Sequence, residues 1–107
     1  MRNTILVTGG AGFIGTNMIK LLLKKTNFKI FSLDNYSSGS KKNHIINKRV
    51  KYFKGSTLNI KKIFHKKNKQ IKTIFHFGEF SRIAQSFKYF SKCFEYNLNG
   101  THCVLEF

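Results

Sequence analysis

Apolar and polar positions alternate in blocks along the 107-residue chain, and each block has a recognisable period. NTILVTG (3–9) is a short branched apolar run ending in glycine, which predicts a buried strand. FIGTNMIKLLLKKTN (13–27) follows with Ile14, Met18, Leu21 and Leu22 at helical spacing and Lys24 and Lys25 near its end, where cations suit the helix dipole. FKIFSLD (28–34) predicts a second strand, NYSSGSKKN (35–43) a polar loop, and VKYFKG (50–55) a third strand. TLNIKKIFHKKNK (57–69) has Leu58, Ile60, Ile63 and Phe64 on a helical pattern crowded by lysines. KTIFHFGE (72–79) predicts a fourth strand, and 81–107 a helical region interrupted near Asn97–Gly100. Strands separated by helices predict an α/β chain, the N-terminal part of a Rossmann-type doubly wound parallel sheet in the order 3-2-1-4.

The most informative stretch is VTGGAGFIG (7–15), which holds four glycines in nine residues. A strand turning straight into a helix leaves the first helical N–H groups unpaired, and their dipole favours an anion. Glycines permit the tight turn, the close approach of a pyrophosphate and the packing of helix on strand. Gly10, Gly12 and Gly15 fit G-x-G-x-x-G, and Gly9, Gly12 and Gly15 fit G-x-x-G-x-x-G. The second strand ends at Asp34, 19 residues beyond Gly15. A carboxylate there accepts both hydroxyls of an adenosine ribose and repels a 2′-phosphate, so NAD is expected over NADP. Lys41 and Lys42 nearby would soften that preference.

Composition changes the picture little. Apolar residues make up 41% of the chain, enough for one domain over 1–107. No run approaches the ~20 apolar residues of a membrane helix, and MRNTILVTGG is no signal peptide. Cys93 and Cys103 lack metal-site spacing, so no metal is expected, and two thiols make no disulfide framework. A reducing, cytoplasmic setting follows as the default. The net charge is +16. That value fits a polyanion partner, but Lys, Asn, Ile and Phe fill nearly half the chain, as AT-rich coding sequence would produce. Only Arg2, Arg49 and Arg82 are arginines, so nucleic acid is not the expected partner.

The motifs TGGAGFIG (8–15), LDNYSSGS (33–40), FHFGEFSRIAQSF (75–87) and YNLNGTHCVLEF (96–107) together resemble the extended short-chain dehydrogenase/reductases. Within them the chain is most similar to NAD-dependent epimerases and dehydratases of the UDP-glucose 4-epimerase kind. The resemblance implies that Phe13 and Ile14 offer backbone N–H groups to the pyrophosphate and that Asp34 holds the ribose. It places Asn35, Tyr36, Ser37, Ser38 and Gly39 around the adenosine. Ser56, followed by Thr57, stands where the family has an acid beside the adenine. Phe77, Gly78, Glu79 and Ser81 match the stretch along the cofactor, with Glu79 departing from the small residues usual there. Asn97 matches an asparagine that helps hold the cofactor. His76 is expected to be a packed strand residue, and His44, His65 and His102 solvated or packed.

The resemblance further implies transient hydride transfer between a nucleotide sugar and bound NAD, in an enzyme that assembles as a homodimer. Its catalytic Tyr-x-x-x-Lys pair is missing. Four positions beyond Tyr36, Tyr52, Tyr89 and Tyr96 stand Ser40, Ser56, Cys93 and Gly100. The chain is therefore expected to be an incomplete, N-terminal fragment of the dinucleotide-binding domain, inactive alone. A non-catalytic dinucleotide-binding module and a basic nucleic-acid-binding protein are the alternatives.

Overall fold

A computed structural model describes residues 3–37, 39–78 and 99–107. Four strands form one parallel sheet: β1 (Thr4–Thr8), β2 (Lys29–Asp34), β3 (Val50–Lys54) and β4 (Ile71–His76). Their order is β3-β2-β1-β4, the 3-2-1-4 order expected. β1 runs beside β2 with Leu6 opposite Phe31 and Thr8 opposite Leu33, and beside β4 with Val7 opposite Phe75. β1 is buried along its whole length and β2 at every position after Lys29. β3 and β4 are partly exposed, as befits the outer strands of this sheet.

Side chains alternate across the sheet, so its two faces have separate cores. On one face Ile5, Val7 and Ile30 meet Ile19 and Leu22 of α1 (Phe13–Lys25). On the other, Leu6, Phe31 and Leu33 meet Ile60 and Phe64, at and just after the one-turn helix α2 (Ile60–Ile63), and Val104 of α3 (Gly100–Glu106). Phe31 stacks on Phe64 at 5.8 Å between centroids and meets Phe53 edge-on at 5.2 Å. Helices thus cover both faces of a parallel sheet, the doubly wound arrangement.

The helix expected over 57–69 is instead a broken crossover. A 3₁₀ turn at Thr57–Asn59 leads into α2, and a second 3₁₀ turn at Asn68–Gln70 precedes β4. Ile60, Ile63 and Phe64 pack into the core, and after Phe64 no further apolar residue follows until Ile71. Lys61, Lys62, Lys66 and Lys67 on successive turns repel one another, so a longer helix lacks support. Lys61 reaches Glu106 of α3 at 3.3 Å and holds that carboxyl below the usual carboxylate range. A helix runs over Gly100–Glu106; the interruption expected near Asn97–Gly100 falls mostly on the segment 81–98, which lies outside the described residues.

Arg49 joins elements distant in sequence. Its guanidinium donates to the carbonyls of Leu23 (2.6 Å), Thr26 (2.7 Å) and Phe28 (3.2 Å). These are carbonyls at the end of α1 and in the chain leading to β2, groups a helix terminus leaves without internal partners. Arg49 also passes its own carbonyl to Ile30 N–H at 2.7 Å, fixing the start of the β2–β3 pairing. Replacing Arg49 with Met keeps the aliphatic stem and removes three charge-assisted bonds. Urea unfolding should show a loss of about 2 kcal/mol, and an unchanged midpoint would contradict this role.

Candidate functional site

The C-terminal ends of the strands carry the glycine turn, the end of β2 and the segment leaving β4, and three close backbone approaches hold them together. Gly9 has φ +71, a conformation that other residues rarely adopt. A Cβ there would lie 2.7 Å from the Phe77 carbonyl oxygen. A Cβ on Gly15 would collide with the Gly9 carbonyl, so α1 can begin this close to β1 only because residue 15 is glycine. A Cβ on Gly10 would likewise collide with the Ser32 side chain on β2. Gly12 is different: a Cβ there would meet only the Gly9 oxygen, at 3.4 Å, which is ordinary contact. Among the described residues, nothing else fills the space beside Gly12.

Gly12 is also the N-cap of α1, and no side chain caps that end. The first turn carries no acid. Phe13 and Ile14 point their side chains outward, with 82% and 61% of their surface exposed. The opening of α1 therefore combines uncapped N–H groups, a positive dipole end and an open glycine, the features an anion requires.

Asp34 ends β2 beside this turn and is buried. Its Oδ2 accepts the Ala11 N–H at 3.0 Å and its Oδ1 accepts the Tyr36 N–H at 2.8 Å. A carboxylate has about four acceptor positions, and these two bonds use one on each oxygen. Gly39 lies against the same group, where a Cβ would stand 2.7 Å from Oδ2. Tyr36 sits at φ 62, strained for a bulky residue. Ser37 N–H bonds the Asn35 side chain at 3.0 Å, and Ser40 N–H bonds the Ala11 carbonyl at 3.1 Å. Asp34, Asn35, Tyr36 and Gly39 thus gather at the glycine turn.

Across the sheet end, Thr57 is buried with its methyl 3.3 Å from the Cβ position of Gly78. Ser56 is expected to offer an acceptor in place of an acid, but its hydroxyl already accepts the Leu58 N–H at 3.1 Å and caps the 3₁₀ turn. Phe77 N–H bonds the Thr8 carbonyl, which carries the chain from β4 over the end of β1. His76 is half-buried, with Nδ1 2.6 Å from the Thr8 hydroxyl and Nε2 2.9 Å from that of Thr101. The Thr8 hydroxyl also accepts the Gly78 N–H at 3.0 Å. His76 thereby ties β1, β4 and α3 together. Ser38, Glu79, Ser81 and Asn97 lie outside the described residues.

Sequence reasoning did not assign His44 to this region. Its Nε2 lies 2.6 Å from the Tyr36 hydroxyl, and its ring stacks on Tyr52 at 3.8 Å. Burial first, then the Asp34 charge and Tyr52, push the Tyr36 phenol above its ordinary value. These contacts join a loop to a strand eight positions away, and no local spacing announces them. Among the described residues, no helix is long and apolar enough to cross a membrane.

The NAD dependent epimerase/dehydratase family matches the chain over residues 5–107. The chain is 37% identical over 110 residues to a dTDP-D-glucose 4,6-dehydratase of Dictyostelium discoideum, covering 95% of this chain and 25% of that protein. It is 31% identical over 110 residues to a UDP-glucose 4-epimerase of Pasteurella multocida, covering 95% and 32%. The UDP-glucose 4-epimerase of Thermotoga maritima, solved with UDP-glucose, superposes with TM-score 0.84 at 28% identity, covering 96% of this chain and 33% of that one. The Brucella ovis UDP-glucose 4-epimerase, solved in complex with NAD, gives TM-score 0.82 at 27% identity, covering 97% and 31%. The chain thus spans about a quarter to a third of the length of these relatives. With its parallel 3-2-1-4 sheet and its glycine turn, the chain belongs to the NAD-dependent epimerase/dehydratase family.

Proposed function

We propose that residues 1–107 form the N-terminal portion of an NAD-binding Rossmann domain from a nucleotide-sugar epimerase or dehydratase. The observation that carries this reading is the Asp34 carboxylate, buried beside an uncapped helix start and keeping one acceptor position on each oxygen. Those positions suit the two hydroxyls of an adenosine ribose, and a 2′-phosphate would meet the carboxylate charge, so NAD is the cofactor rather than NADP. The space at Gly12 admits a pyrophosphate, which the N–H groups of Phe13 and Ile14 would bond. Gly9 and Gly15 hold the turn in shape. Asn35, Tyr36, Ser37, Ser38 and Gly39 would border the adenosine. Ser56 and Thr57 would border the adenine, the Ser56 hydroxyl keeping its proton and a second lone pair beside the turn it caps. Phe77, Gly78, Glu79, Ser81 and Asn97 would line the path toward the nicotinamide.

Bound NAD supplies reversible hydride acceptance to such an enzyme. This chain's residues bind and orient it; they supply no acid–base pair, because no tyrosine is followed by a lysine four positions on. Relatives solved with UDP-glucose and with NAD support a nucleotide sugar as substrate of the whole enzyme. Cytoplasmic residence and a homodimeric whole enzyme belong to the same reading. The alternative reading is a dinucleotide-binding module without catalysis. On either reading, the isolated chain catalyses no epimerisation of UDP-sugars.

Calorimetry on this chain with NAD tests the assignment. Asp34→Ala should weaken binding by about 1–3 kcal/mol, and equal affinity would remove Asp34 from the ribose site. Gly12→Ala and Gly15→Ala should part company. Gly15→Ala destabilises the fold by more than about 2 kcal/mol, because the new methyl meets backbone. Gly12→Ala should keep a cooperative unfolding transition within about 1 kcal/mol of the parent while abolishing NAD binding. A Gly12→Ala chain that binds NAD normally would refute the pyrophosphate site.

A further inference from the structure

Asp34 sits in a closed circuit of contacts that leaves and re-enters the glycine turn. Ala11 N–H donates to Asp34 Oδ2 at 3.0 Å, and Tyr36 N–H to Oδ1 at 2.8 Å. The Tyr36 hydroxyl lies 2.6 Å from His44 Nε2. His44 adjoins Asn43, whose side-chain amide donates to the Ala11 carbonyl at 2.7 Å. The circuit therefore closes through Asp34, Tyr36, His44, Asn43 and Ala11. Besides Asp34 at the end of β2, it is anchored to β3: the His44 ring stacks on Tyr52 with 11° between planes, and Ile45 N–H donates to the Tyr52 hydroxyl at 2.9 Å.

Two features make the Tyr36–His44 link more than packing. Tyr36 holds φ 62, which a bulky residue keeps only where its surroundings enforce it. The backbone N–H of the same residue donates to Asp34 Oδ1. The phenol is also able to donate. Burial and the Asp34 charge keep it protonated, so its O–H can pass a hydrogen bond to an imidazole nitrogen. The side chain that keeps Tyr36 in its strained conformation is thus joined to a ring held flat against β3.

We infer that His44 is a positioning residue: through Tyr36 it fixes the Asp34 carboxylate in the orientation that receives the adenosine ribose. The consequence for ligand binding rests on the proposed NAD reading, whereas the consequence for Asp34 and Tyr36 does not. His44 touches no ligand in this account. Its effect should therefore depend on whether the ligand carries ribose hydroxyls.

His44→Phe retains a ring to stack on Tyr52 and removes the partner of the Tyr36 hydroxyl. Tyr36→Phe removes the other half of the link. The ligand-free readout is amide exchange by NMR. Both variants should speed exchange at the Tyr36 amide about tenfold while Leu6 and Phe31 amides in the central strands keep their protection. The ligand readout compares ADP with 2′,3′-dideoxy-ADP by calorimetry. Each variant should weaken ADP about 5- to 10-fold, and the double variant no further, because the two changes break one link. His44→Phe should leave the dideoxy nucleotide within about twofold of the parent. His44→Gln, which restores a hydrogen-bonding group, should recover part of the ADP affinity. Parent-like exchange at Tyr36 in His44→Phe overturns the inference, as does an equal loss for both nucleotides. If exchange quickens but the parent itself binds both nucleotides alike, the positioning by His44 stands and the ribose role of Asp34 falls.

Discussion

The organisation of the molecule depends on how closely α1 starts to the end of β1. The Gly9 carbonyl occupies the place where any side chain on residue 15 would begin, and Gly9 itself bends at positive φ. That contact lets a helix follow a buried strand after four residues. It sets Ile19 and Leu22 over Ile5 and Val7, and it aims the uncapped first turn of α1 along the sheet end. It also brings the Ala11 amide to the Asp34 carboxylate, so the two parts of the site are set by one turn. A methyl group on Gly15 would meet backbone, whereas one on Gly12 would make only ordinary contact.

The features written locally in the sequence were legible there. Branched apolar runs ending in glycine or aspartate gave the strands, and the parallel order follows from the intervening helical segments. The glycine spacing and Asp34 could be related because both lie at strand ends, and strand ends of a parallel sheet share an edge. The crossover between β3 and β4 was less legible. Its helical period is real for Ile60, Ile63 and Phe64, but the lysines that follow have nothing to bury, and tertiary support decides the length of so short a helix. The ties made by Arg49 and His44 were not legible. Each joins side chain to partner across a loop, through geometry that exists only once β2 and β3 have paired.

Charge has a narrow role here. The described residues contain two acids, Asp34 and Glu106, among many lysines. Glu106 is exposed and paired with Lys61, a contact of small energetic weight. Asp34 is buried and bonded to two backbone amides rather than to a lysine. Two backbone amides take one acceptor position on each oxygen, whereas a salt bridge would occupy more of the carboxylate. The basic surface can attract a nucleotide phosphate from a distance, but it does not explain where the nucleotide would settle.

The most direct test of the central claim, that this turn and carboxylate form one adenine-nucleotide site, is an NMR titration of the labelled chain with ADP. The account predicts saturable shifts concentrated at Gly9–Gly15 and Asp34–Tyr36, persisting in about 0.15 M salt, where exposed charges beyond about 8 Å are screened. Shifts spread over the lysines of α2 and the 66–72 segment, and lost as salt is raised, would contradict it.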